Sequence, residues 1–79
     1  MSELHDLSDE QFAYIDSAGH RHLPVHDDAH VRNAIARFSQ TRFEGAGAKK
    51  KAARAVLAAA RQHGVEVSDD DAVSQAARN

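Results

Sequence analysis

The sequence contains no cysteine. Disulfides and thiolate metal sites are therefore both excluded as supports for the fold, and the absence fits an intracellular setting. No apolar run approaches the ~20 residues that span a bilayer. The acidic opening, MSELHDLSDEQ, lacks the apolar core of a secretory signal. The expectation is a soluble, cytoplasmic domain with no membrane contact. Aromatic residues are few, three Phe and one Tyr, and Pro24 is the single proline. At 79 residues the chain makes one small domain, near the size where a single core is only marginally stabilising.

Charge is present but segregated. Residues 1–30 hold seven acids against one base, Arg21. Residues 31–63 hold Arg32, Arg37, Arg42, Lys49, Lys50, Lys51, Arg54 and Arg61 against Glu44 alone. Residues 64–79 hold four acids against Arg78. Two readings follow: acidic ends that fold back on a basic middle, or a basic middle kept for an anionic partner.

The chain divides into a flexible lead at 1–6, a single domain at 7–67, and a tail or short helix at 68–79. Leu7 to Gln11 reads as a capping box with Ser8 and Gln11 as its ends. Phe12 to Asp16 alternates as a strand, with Phe12 and Tyr14 on one side and Ala13 and Ile15 on the other. Ser17-Ala18-Gly19 supplies a turn in which Gly19 takes a positive φ. His20 to Leu23 returns as a second strand, ended by Pro24. Such a hairpin needs a helix against it.

Asp27 or Asp28 caps the first long helix, which runs to about Ser39. Val31, Ala34, Ile35 and Phe38 share its apolar face. Gln40 to Gly47 is a connection, because Gly45 and Gly47 discourage helix. From about Ala48 a second helix carries Ala53, Val56, Leu57 and Ala60 on one face. Gly64 sits where a left-handed cap belongs, with Val65 folding back. Ser68 to Asp71 signals a further cap, but Ala72 to Asn79 offers few large apolar groups, so a short or frayed helix or disorder is expected. The fold class is α+β: an N-terminal β-hairpin packed on two α-helices, with a short or frayed C-terminal helix. The expected core is Phe12, Ile15, Leu23, Val31, Ile35, Phe38, Val56 and Leu57.

The run RHLPVHDDAHVRNAIARFSQT resembles a small domain appended to phage prohead proteases and found in other phage-related proteins. There, LP-x-H/K-D leads into HVRNALARxxQT, and LSDEQFAYID resembles that family's opening. The resemblance covers roughly residues 7–67. Arg21, Leu23, Pro24, Asp27, His30, Arg32, Asn33, Arg37, Gln40 and Thr41 match its pattern. It implies the architecture and an assembly context. The protease half is absent, so it implies no proteolysis.

Six histidines stand out. His20 and His22 share a strand face, and His26 and His30 are four apart. Neutral imidazoles so placed suit zinc or nickel. Pro24 and the helix cap separate the pairs, however, and His26 falls before the cap, so surface or capping roles are expected, with no metal and no cofactor. A hydrolytic triad needs an activated nucleophile in a pocket. Ser39 and Thr41 carry no such mark, and Asp27 with His30 reads as a helix-start contact, so no enzyme is expected.

Arg42, Lys49, Lys50, Lys51 and Arg54 form the candidate nucleic-acid contact. Cations at a helix start oppose the dipole, so local stability does not explain them. They suit phosphate oxygens, with backbone rather than base contacts. The alternative is a solvated lysine face. The reading is a non-catalytic binding module, a monomer or weak homodimer. An unknown protein partner is placed ahead of nucleic acid, and a His-rich metal-binding domain is the minor alternative.

Overall fold

The computed structural model of the chain describes residues 9–78. The expected lead at 1–6 and the Ser8 end of the capping box lie outside these residues. Asp9–Gln11 form one 3-10 turn. Strands β1 (Phe12–Ile15) and β2 (Arg21–Pro24) follow and pair antiparallel, with Tyr14 opposite His22 and Ile15 opposite Arg21. Asp16 organises the turn between them. Its Oδ1 accepts the N–H groups of Ala18 at 3.0 Å and His20 at 2.8 Å. Gly19, at φ +86°, supplies the left-handed step this three-residue loop needs.

Helix α1 (Asp28–Arg37) begins where Asp27, in extended conformation, accepts the His30 N–H at 2.8 Å. It tightens into a 3-10 turn at Phe38–Gln40. Helix α2 (Ala46–Gln62) starts two residues earlier than expected, with Gly45 as its cap and Gly47 in its first turn. That turn has tertiary support: α2 packs on β1, and packing overrides a weak glycine propensity. At its far end Val65 N–H bonds to Ala60 O at 2.8 Å and Gly64 N–H to Arg61 O at 3.3 Å. With Gly64 at φ +69°, this is the expected glycine-capped Schellman ending.

Helix α3 (Ala72–Arg78) is docked rather than loose. Val73 is fully buried, and the helix packs on α2 and on the 3-10 turn after α1. Asp71 Oδ1 accepts the Val73 N–H at 3.2 Å, and Ser74 Oγ donates to Ser68 O at 2.8 Å. The chain is thus an α+β domain whose hub is α2, with β1, α1 and α3 packed around it and β2 packed on α1.

The core is centred on Phe38, Val31, Val56 and Val73. Three expected members sit elsewhere. Ile15 is 36% exposed, because the covering of that strand face reaches Ala13 and stops short of the strand end. Ile35 and Leu57 are half-buried at the margin. The buried stripe of α2 is Ala52, Ala53, Val56, Ala59 and Ala60, displaced from the Leu57 side towards β1. Its small side chains allow the close approach of three neighbouring elements. Tyr14 and Val25 complete the interior.

Leu23 is the backbone outlier, a buried branched residue at φ +56° just before Pro24. That region costs a non-glycine residue of order 1–3 kcal/mol and persists only where surroundings enforce it.

Candidate functional site

The carboxylates of the fold are taken up mainly by imidazoles and hydroxyls. Asp16 Oδ2 lies 3.1 Å from His22 Nε2 and 3.4 Å from His20 Nδ1, so His20 and His22 meet on one acid. The His22 bond, with the His20 backbone N–H, holds the Asp16 carboxyl down at about 2. Asp27 Oδ1 is 2.8 Å from His30 Nδ1, and Oδ2 is 3.3 Å from His26 Nε2. The His30 backbone and side-chain bonds lower the Asp27 pKa as well. Asp28 Oδ1 lies 2.8 Å from His63 Nδ1, joining the start of α1 to the end of α2.

His26 and His30 come together despite the cap between them. Their ring centroids are 4.2 Å apart. His26 does precede the cap, as its position in the sequence implies. The separation of the two imidazoles does not follow, because a cap side chain that binds the third helical residue folds the preceding residue back over the first turn. Asp27 is the part of this cluster that pairing histidines by spacing misses. The signal was there in the reach of an N-cap Asp towards His30.

Glu44 is the other group that sequence reasoning passed over. It accepts the Ser17 N–H at 2.7 Å and the Ser17 hydroxyl, which lowers its pKa. The Tyr14 hydroxyl accepts the Glu44 N–H at 3.2 Å. Tyr14 packs edge-on to Phe43, centroids 4.8 Å apart, and stacks on His22 at 5.3 Å. Burial raises the Tyr14 phenol pKa.

Imidazoles occupy Asp16, Asp27 and Asp28. Apart from Arg21 with Asp9 at 2.9 Å, no Arg or Lys pairs with a carboxylate among the described residues. Arg42, Lys49, Lys51 and Arg54 are exposed and Lys50 is half-buried. Lys49, Lys50 and Lys51 step around α2 at ~100° per residue, so they fan out rather than share a face. Arg54 turns towards α3, its Nε 3.4 Å from Ala77 O.

Between β2 and α1 runs an open groove lined by Leu23, Pro24, His30, Asn33, Ala34 and Arg37. Five of these, Leu23, Pro24, His30, Asn33 and Arg37, are among the positions that the sequence resemblance singles out. The others of that set are placed apart: Arg21 over the Phe12 ring at 5.5 Å, Asp27 at the cap, and Thr41 with its hydroxyl donated to Arg37 O at 2.9 Å. Arg32 lies beside Ile35, Val65 and Glu66, and Gln40 is exposed in the 3-10 turn.

These features define a small α+β domain, a helix-backed hairpin with open grooves and imidazole–carboxylate pairs. The chain belongs to DUF6582, a family of unknown function, whose model matches residues 2–70. No curated protein and no solved structure matches it. No helix among the described residues is long and apolar enough to cross a membrane.

Proposed function

We propose that this domain is a non-catalytic binding module of phage-related origin that engages a protein partner through the β2–α1 groove. The observation that carries the reading is the composition of that groove. Leu23, Pro24 and Ala34 supply apolar lining, and the exposed side chains of Asn33 and Arg37 make no hydrogen bond or ion pair among the described residues. Arg37 offers only donors, so the partner is expected to bring carboxylates or backbone carbonyls. Leu23 holds a strained backbone at the same place, which is where binding surfaces store strain.

The test is capture from the host with the parent and with the pair Asn33→Ala and Arg37→Glu, with and without nuclease. Nuclease-resistant capture by the parent, lost in the pair at unchanged melting temperature, supports the reading. Equal capture by both sinks it.

A second reading rests on the leftover cations. Arg42, Lys49, Lys50, Lys51 and Arg54 would contact a nucleic-acid backbone. Affinity for duplex DNA should then fall with salt at a log–log slope of about −0.9 per phosphate contacted, shrinking by about one unit per lysine removed. A Lys49, Lys50 and Lys51 to Gln variant that binds as well as the parent would end this reading.

A further inference from the structure

We infer that His26, Asp27 and His30 form a binding site for a divalent transition metal of the zinc class. The site shares His30 with the edge of the partner groove, but the inference rests on the imidazoles and their shared carboxylate and not on what the groove binds. Each residue offers one ligand atom, and the three atoms lie within 4.8 Å of one another. Two nitrogens and one carboxylate oxygen are the donor set that zinc, nickel and cobalt accept, and that magnesium and calcium do not seek.

The second observation is the state of His26. Its side chain is only 11% exposed, yet neither ring nitrogen has a hydrogen-bond partner. Buried polar atoms are normally satisfied, and an exception calls for a cause. Nε2 does lie 3.3 Å from Asp27 Oδ2, but without hydrogen-bond geometry. That separation is informative. Metal bonds of ~2.0–2.1 Å in a tetrahedral site set neighbouring donors ~3.3–3.4 Å apart. The His26–Asp27 edge already has that spacing. A tilted ring contact, centroids 4.2 Å apart and planes at 36°, sets His30 against His26 without occupying the His26 nitrogens.

Asp27 can ligate without giving up its cap. Oδ1 keeps the His30 backbone N–H, and Oδ2 faces His26. As a ligand, His30 would present Nδ1 and carry its proton on Nε2. Three protein ligands leave a fourth position for water or for a side chain of another molecule, as in open zinc sites.

The experiment uses the full chain with Zn2+ and Co2+ as probes and Mg2+ as control. The expected result is saturable 1:1 zinc binding, a zinc-dependent rise of several degrees in melting temperature, and tetrahedral Co2+ absorption bands. His30→Gln should weaken zinc by more than about 100-fold, beyond the 10–100-fold that outer-shell changes cost. A His20→Gln and His22→Gln double variant should bind like the parent. Should His26→Ala fail to fold, imidazole 15N shifts in the parent read the same question, and zinc must move His26 and His30. Absence of saturable binding, binding that survives His30→Gln, loss in the His20 and His22 variant, or shifts confined to other histidines would each overturn the site.

Discussion

Glu44 and Ser17 bond twice across 27 residues of sequence, through the Ser17 N–H at 2.7 Å and through its hydroxyl. The hairpin turn is thereby fastened to the connection between α1 and α2, and the Tyr14 hydroxyl accepts the Glu44 N–H from beneath. A two-stranded ribbon has little stability of its own, so a long-range tie at its turn matters more than a surface contact usually does.

Glu44→Ala should accordingly loosen the turn before it affects the helices. The measurement is amide exchange by NMR. The Ser17 N–H should lose protection, while the α2 amides keep theirs. Equal protection of Ser17 in parent and variant would show that the clamp does not form in solution.

Acid should act through Asp16. Its folded pKa, about 2, lies below the ordinary 3.8, chiefly through its bond to His22. The contribution is therefore complete above about 3.8 and is lost as pH falls through about 2. Asp27 and Glu44 are lowered too and act in the same direction. Thermal melts from pH 5 to pH 2 should show stability falling with pH. Asp16→Asn should be the less stable protein at pH 5, and its melts should converge on those of the parent towards pH 2. Parallel curves would mean that His22 does not hold the carboxylate.

Core substitutions should rank by observed burial. Phe38→Ala should cost about 3–5 kcal/mol, and Val73→Ala about 1.5–3 kcal/mol, since both residues are fully enclosed. Ile35→Ala, at the margin, should cost less than about 2 kcal/mol, below the usual 2–5 for an enclosed isoleucine. Urea titration decides, and Ile35 exceeding Val73 would put the centre of the core in the wrong place.

Leu23 offers a test of strain. Glycine ordinarily loses about 0.5–1 kcal/mol to alanine within a strand or helix. At φ +56° the order should reverse, with Leu23→Gly at least as stable as Leu23→Ala. The comparison cancels the lost leucine packing common to both variants.

What the sequence made legible was local. Asp27 as a cap, Gly19 in the turn and Gly64 closing α2 each follow from backbone needs that a single residue type meets. What it concealed was set by distant neighbours. Ile15 alternates with Ala13 as a core residue should, but Ala13 is buried and Ile15, at the strand end, is not. Leu57 has the right helical phase, yet β1 lies on the other flank of α2. The His26–Asp27–His30 cluster was half visible. Spacing marked the imidazoles, and only the reach of the cap brought them and the carboxylate together.

The docking of α3 divides the domain into parts that can open separately. Val73 is the fully enclosed side chain of this helix, Ser74, Ala76 and Ala77 pack beside it, and Arg54 Nε reaches Ala77 O, while Ser74, Gln75 and Arg78 bond to the backbone of the preceding turn, at Ser68, Asp70 and Asp69. These bonds stay intact if turn and helix lift away together. Lifting Ser68 to Arg78 as one unit would break the Val73 and Arg54 contacts while leaving the hairpin, α1 and α2 joined to one another. Sub-global openings have free energies below that of global unfolding, and one along this seam would expose the face of α2 beneath Val73 first.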